Sequence, residues 1–250
     1  MYPGTGAEMT AASISEIKAS LVLANRILVR HQVLDSFGHI SARHPTRPDC
    51  YLLARRKAPG LVQLDDIIEF GPDGEPTEER NAEIFLERYI HAAIYAARED
   101  VHSVVHGHSP TMVAMSVVSE PTLRAICHTC GFLGDGVPLF EIRDVLGDAS
   151  NLLIGNRGLG DVLARCLHNS SVVLMRGHGF TAVGNSVPQA VYRAIYAETN
   201  ARIQVATAAL GPVTYLTAAE AVAAEATSAL QVERTWAFWR ETVGADIETD

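Results

Sequence analysis

The sequence has no apolar run that reaches about 18 residues, the length a membrane-spanning helix requires, so no membrane partner is expected. Residues 1–16 carry no basic stretch followed by an apolar one, so no secretory signal is expected either. Cysteine is scarce, four in 250 residues. Without an export signal, that scarcity fits reduced thiols and a cytoplasmic location. Cys127 and Cys130 form a single CxxC; a zinc ribbon would need a second. Cations are in deficit, with 20 Lys and Arg against 29 Asp and Glu for a formal charge of −9, and the longest basic run is Arg55-Arg56-Lys57. A nucleic-acid partner is therefore not expected. Internal repeats, linkers and low-complexity stretches are missing too. What remains, 48% hydrophobic and 20% charged, is the composition of a globular chain long enough to bury a sizeable core.

Hydrophobic periodicity divides the chain into short strands and helices. Residues 1–12 read as a frayed N-terminus and 13–250 as one domain that ends in a C-terminal helix. Ser13-x-x-Glu16 has the form of a capping box, and Ile14, Ile17, Leu21, Ala24 and Leu28 follow at helical spacing. Strands are expected near 40–43, 51–54 and 67–70, the last followed by the turn Gly71-Pro72-Asp73-Gly74. A long helix is expected over 77–98, a strand over 101–107 and a helix opening at Ser109-Pro110. Segments 137–142 and 171–175 read as buried strands, with 180–184 a hairpin partner of the second. Ser186 and Pro188 open a helix running to Leu210, and Thr217-x-x-Glu220 caps a last helix that reaches Trp236 and Trp239. Short strands mixed with helices imply an α/β fold with a mainly antiparallel or mixed sheet.

Ten histidines are a rich complement, and their placement carries the chemistry. His106-Gly107-His108 ends the strand expected over 101–107. Residues i and i+2 of a strand point to one face, so two imidazoles can address one ion. Neutral imidazole suits zinc, manganese, iron, cobalt or nickel. Met175-Arg176-Gly177-His178-Gly179 follows another apolar strand, and its glycines permit a sharp turn and a close backbone approach. Glu87 shares a helical stripe with Ile84, His91 and Ile94. A carboxylate on a core face needs a partner, which a cation held by three histidines would supply. Taken singly, each histidine also reads as a hydrogen-bonded structural residue, and Glu87 as an exposed one. His31, His44, His91, His102 and His168 lack motif context and read as structural or exposed.

The combination of Glu87, His106-Gly107-His108 and Arg176-Gly177-His178-Gly179 resembles the class II aldolase/adducin family over residues 14–210. The resemblance implies a single α/β/α domain around a central, mostly antiparallel sheet. It implies a homotetramer with active sites at subunit interfaces. It also implies a divalent ion (zinc, manganese, iron or cobalt) on His106, His108 and His178. Glu87 becomes the acid/base carboxylate, able to touch the metal as well. The sugar-phosphate aldolases of this family donate a proton from a tyrosine in the loop after the HxH helix. The nearest match here is His128, in Ile126-Cys127-His128-Thr129. An imidazole suits proton transfer near neutral pH.

Three departures from those aldolases bear on substrate. Their phosphate motifs Gly-Asn, Thr-Gly and Ser-Ser are replaced here by Gly38-His39, Arg56-Lys57 and Phe85-Leu86. Phosphate cradles need small residues and free backbone N–H groups, which Phe85 and Leu86 do not offer. A phosphorylated sugar is therefore not expected. Arg56 and Lys57 read either as part of a solvated basic turn or as a clamp for a substrate carboxylate. His39 and Phe85 are placed to flank a flat ring. In this the sequence resembles the family's metal-dependent decarboxylases of hydroxylated aromatic or pyridine dicarboxylic acids. That branch implies a small carboxylate substrate and a metal that stabilises charge on the ring as CO2 leaves. It also implies a proton delivered to the ring carbon by His128 or Glu87. An aldolase or epimerase of a small hydroxy-carbonyl compound and a non-haem iron oxygenase remain open within the family. A scaffolding role, as in adducin, is disfavoured because all three histidines and Glu87 are present. Cys127 and Cys130 read as semi-buried thiols near the site or as a redox dithiol. Trp236, Phe238 and Trp239 read as core, as subunit interface or as a cover for the site.

Overall fold

The computed structural model describes residues 13–78, 81–120 and 122–247, with the side chains of 244–247 excepted. The frayed segment expected over 1–12 lies outside the described residues. In chain order the elements are α1 (Ile14–Arg30), β1 (His39–Arg43), β2 (Tyr51–Ala54), β3 (Ile67–Phe70), α2 (Arg88–Ala97), β4 (Ser103–Gly107), α3 (Pro110–Ser116), β5 (Leu139–Phe140), α4 (Arg143–Leu146), α5 (Arg157–Leu167), β6 (Val172–Met175), β7 (Gly179–Gly184), α6 (Val187–Ala208), α7 (Ala218–Ser228) and α8 (Val232–Ile247).

The strands pair in the order β3-β2-β1-β4-β7-β6-β5, which puts β4 at the centre. Every pairing is antiparallel except that of β5 with β6. Both faces of this sheet are covered, so its strands bury alternate side chains into two different cores. Ile40, Leu52, Val105, Leu174 and Ala182 face the layer of α1, α6 and α8. Tyr51, Leu53, Val104, Val173 and Val183 face the layer of α2 and α5. The α/β/α arrangement with a mostly antiparallel sheet is therefore as the resemblance implied. Trp236 and Trp239 belong to the first core, while Phe238 is exposed. No helix among the described residues is long and apolar enough to cross a membrane.

Local signals explain the helix ends. The capping box at α1 is complete: Ser13 Oγ accepts from the Glu16 N–H at 3.3 Å, and Glu16 accepts from the Ser13 N–H at 2.7 Å. Three expectations are corrected. The helix expected over 77–98 begins only at Arg88. The backbone ahead of it turns to another partner: the Glu83 carbonyl accepts from the Arg56 N–H at 2.7 Å. The buried Arg88 guanidinium then ties the helix start to the Gly74 carbonyl at 2.6 Å and the Phe85 carbonyl at 3.1 Å. Glu87 is consequently the N-cap residue of α2, not an interior one. The single last helix is two, α7 and α8, joined by a 3-10 turn at Ala229–Gln231. The sequence reading missed α5, whose Gly158 and Gly160 weaken a helical pattern. Gly160 is needed there, because a Cβ would stand 2.5 Å from the Tyr89 carbonyl oxygen where α5 crosses α2.

Candidate metal centre

The central strand delivers the first ligand. His106 is fully buried on β4, and its Nδ1–H donates to the Phe180 carbonyl of β7 at 3.0 Å. With the proton committed to Nδ1, the lone pair lies on Nε2. His108 follows just beyond the strand. Next to it Ser109 donates to the buried Glu198 carboxylate of α6 at 2.7 Å, which anchors the start of α3. His178 lies in the tight turn between β6 and β7, where Gly177 adopts φ +63°. Its Nδ1–H donates to the Leu152 carbonyl at 2.8 Å, again leaving Nε2 as the free donor atom. Gly179 brings β7 against β4 so closely that a Cβ would fall 2.2 Å from the Gly107 carbonyl oxygen.

Glu87 completes the group from the N-terminus of α2. Its Oε1 accepts from the Ile154 N–H at 2.9 Å. Its Oε2 lies 3.4 Å from His106 Nε2 and 3.3 Å from His178 Nε2. The Nε2 atoms of His108 and His178 are 3.0 Å apart. The ligand atoms of Glu87, His106, His108 and His178 all lie within 4.8 Å of one another. These four residues form a cluster able to hold a metal ion. Two features fit it to a cation. His106 Nε2 is sealed from solvent without a hydrogen-bond partner, and a buried orphan nitrogen is costly. Three nitrogens and one carboxylate oxygen are also a donor set suited to zinc, manganese, iron or cobalt.

Electrostatics point the same way. Burial pushes the Glu87 carboxyl up, but the neighbouring His106 and His178 outweigh it and hold the group well below the usual carboxylate range. Burial, then the neighbouring His106 and His178, push His108 down to about 3, the neutral form a metal needs. Burial also lowers His178, but the hydrogen bond and charge of Glu87 raise it overall. The ionised carboxylate thus draws positive charge to this point.

A ring shelf adjoins the cluster. The His39 ring is 4.6 Å from that of Phe85 and 5.2 Å from that of His106. Gly38 makes this possible: it adopts φ +87°, and a Cβ there would stand 2.9 Å from the His106 carbonyl oxygen. His91, read as structural or exposed, is buried and bonded to His39 Nδ1 at 2.7 Å.

The remaining expected site residues are not joined to the cluster within one chain. Arg56 pairs with Glu83 at 3.1 Å, Lys57 with Asp66 at 2.6 Å, and Arg55 donates to the Asp65 carbonyl at 3.0 Å. His128 is exposed on a 3-10 turn packed against α7, where its carbonyl accepts from Ser228 at 3.1 Å. The sulfurs of Cys127 and Cys130 lie 3.0 Å apart as free thiols. The sequence reading missed Leu152 and Ile154, which hold His178 and Glu87, and Ser116, whose Oγ accepts from the Gly177 N–H at 2.9 Å. Leu152 and Ile154 act through backbone groups, which leave no mark on residue type. Only the unusual φ of +67° at Leu152 betrays its role.

A cluster able to hold a metal ion thus lies at the end of the central strand of a sheet covered on both faces. Residues 19–205 match the class II aldolase and adducin N-terminal domain, and the chain belongs to that family. Among its relatives, the decarboxylase tropJ of Talaromyces stipitatus is 44% identical over 190 residues, which are 71% of each chain. A 3,4-dihydroxyphthalate decarboxylase of Arthrobacter keyseri is 29% identical over 209 residues, 78% of this chain and 79% of that one. The solved structure of an aldolase II superfamily protein from Pseudomonas syringae superposes with a TM-score of 0.77 at 21% identity, over 94% of this chain and 95% of that one, and shares the fold.

Proposed function

We propose that this carbon–carbon lyase is a metal-dependent decarboxylase of a hydroxylated aromatic or pyridine carboxylic acid, working as a homotetramer. The observation that carries the reading is the joint placement of the three Nε2 atoms, the Glu87 carboxylate and the His39–Phe85 shelf. A set of metal-binding side chains beside two adjoining, tilted rings suits a flat substrate bearing oxygen ligands. The relatives named as decarboxylases support the same chemistry.

His106, His108, His178 and Glu87 would hold the divalent ion, which supplies Lewis-acid stabilisation of negative charge when bound. The chain's own residues do the rest. His39 and Phe85 pack against the ring and fix its plane. Arg56 or Lys57 exchanges its carboxylate partner, Glu83 or Asp66, for a carboxylate of the substrate. The bond from ring carbon to carboxylate breaks, CO2 leaves, and the electron pair stays on the ring. His128, reaching in from a neighbouring subunit, then gives a proton to that carbon. The interface role rests on His128 being exposed on its 3-10 turn with no bond to the cluster among the described residues.

A substrate panel tests the reading. Hydroxylated phthalate-like acids are expected to release one CO2 each, with no consumption of O2. Retro-aldol cleavage of a hydroxy-carbonyl compound without CO2 release would move the enzyme to the aldolases. Stoichiometric O2 uptake would move it to the oxygenases.

A further inference from the structure

Behind the metal ligands runs a line of buried polar side chains that the reaction above leaves unused. His39 Nδ1 is 2.7 Å from His91 Nε2, His91 Nδ1 is 2.6 Å from Ser41 Oγ, and Ser41 Oγ is 2.7 Å from Tyr95 Oη. None of the four residues is more than 4% exposed. The fold explains the alignment. His39 and Ser41 are two apart on β1 and share a face. His91 and Tyr95 are four apart on α2, which covers that face.

Counting protons gives the line a direction. Each link uses one hydrogen, and each neutral imidazole carries one. Among the described residues, Ser41 Oγ is the acceptor within reach of the Tyr95 hydroxyl, whose oxygen also faces the Val104 backbone N–H. A buried O–H without an acceptor is costly, so Tyr95 donates to Ser41. Ser41 then gives its own proton to its other partner, His91 Nδ1. With Nδ1 accepting, His91 carries its hydrogen on Nε2 and donates to His39 Nδ1. His39 in turn must carry its hydrogen on Nε2. The reverse order would leave the Tyr95 proton unpaired in the core. Both rings are buried, which disfavours their charged forms.

His39 Nε2 has no partner among the described residues, and the ring borders both Phe85 and His106. We propose that Tyr95, Ser41 and His91 are positioning residues that lock His39 in its Nε2–H tautomer, so that it donates a hydrogen bond to an anionic oxygen of the substrate beside the metal ligands. The tautomer stands on the geometry alone; the oxygen as its target rests on the decarboxylase reading. The lock makes His39 a specificity residue. A ring lacking an acceptor at that position leaves a fixed donor unpaired, and a site discriminates strongly against such an analogue.

Neutron diffraction from deuterium-exchanged crystals of the metal-loaded protein tests the lock directly. Hydrogen or deuterium is expected on Nε2 of both His39 and His91 and on Nδ1 of neither. Density on Nδ1 of either ring overturns the proposal, whatever the substrate proves to be. A double-mutant cycle tests the coupling. Ser41→Ala is expected to lower kcat/KM about tenfold at unchanged metal content, but by less than about twofold in a His39→Phe background. Equal losses in both backgrounds would show that Ser41 acts by packing alone and would refute the relay. If no hydroxy-aryl carboxylate is turned over, the decarboxylase reading fails while the neutron result still decides the tautomer.

Discussion

His128 is the residue on which the proposed chemistry and the assembly meet. In the proposed mechanism its imidazole stands in for the phenol of the sugar-phosphate aldolases, and proton delivery near pH 7 suits imidazole better than a group of pKa about 10. His128→Ala is expected to retain metal and fold while kcat falls by about 10²–10⁴, the range for loss of a general acid. A loss below about fivefold would transfer the role to Glu87 or His39. At this scale the convergence of Glu87, His106, His108 and His178 was legible in the sequence, because chemistry-bearing side chains at strand ends announce themselves by type and spacing. His106 and His108 needed only the two-residue period of a strand, and His178 only its flanking glycines. The groups that orient them were not legible. Phe180 and Leu152 act through carbonyls that every residue owns, and Ile154 through its N–H. His91 and Ser41 were hidden for another reason: their partnership exists only once α2 is laid across β1.

The elements show where periodicity misleads. Ile84, Glu87, His91 and Ile94 suggest one helical face, yet Ile84 precedes the helix. The pairing of Glu83 with Arg56 competes for that backbone and wins. The shorter helix matters to the site, because it places Glu87 at the N-cap, where the carboxylate can turn toward β4 and the β6–β7 turn. That turn is braced from the next strand. On β5 the Phe140 carbonyl accepts from the Arg176 N–H at 3.1 Å, and Glu141 pairs with the Arg176 guanidinium. Hydrogen bonds from Arg143, then Arg176, hold the Glu141 carboxyl down at about 2. A carboxyl lowered on folding stabilises above its unfolded pKa of about 4.3 and loses that contribution as pH falls toward its folded value. The melting-temperature difference between the wild-type protein and Glu141→Gln is therefore expected to be constant from about pH 8 to 5 and to shrink between about pH 4 and 2. A difference that stays level to about pH 2 would mean that the ion pairs contribute nothing.

For the whole molecule, two helical layers hold the sheet rigid, and the site opens where β4 ends and the β6–β7 turn and α2 converge. Both layers were foreshadowed by strands that are apolar on both faces, although α5 was not, since its glycines serve close packing and dilute the helical pattern. In the proposed mechanism His128 acts from a second subunit, so activity is expected to depend on assembly. Sedimentation is expected to give a mass about four times the 27.0 kDa of the chain; an active monomer would contradict the interface role. The central claim is that Glu87, His106, His108 and His178 are a metal centre. Elemental analysis of purified protein tests it most directly. The account predicts about one divalent transition-metal ion per wild-type chain and less than about a tenth of that in His106→Ala, since removing one of three nitrogen ligands collapses the site. Trace metal alone in both proteins, after dialysis against zinc, manganese, iron and cobalt in turn, would contradict it.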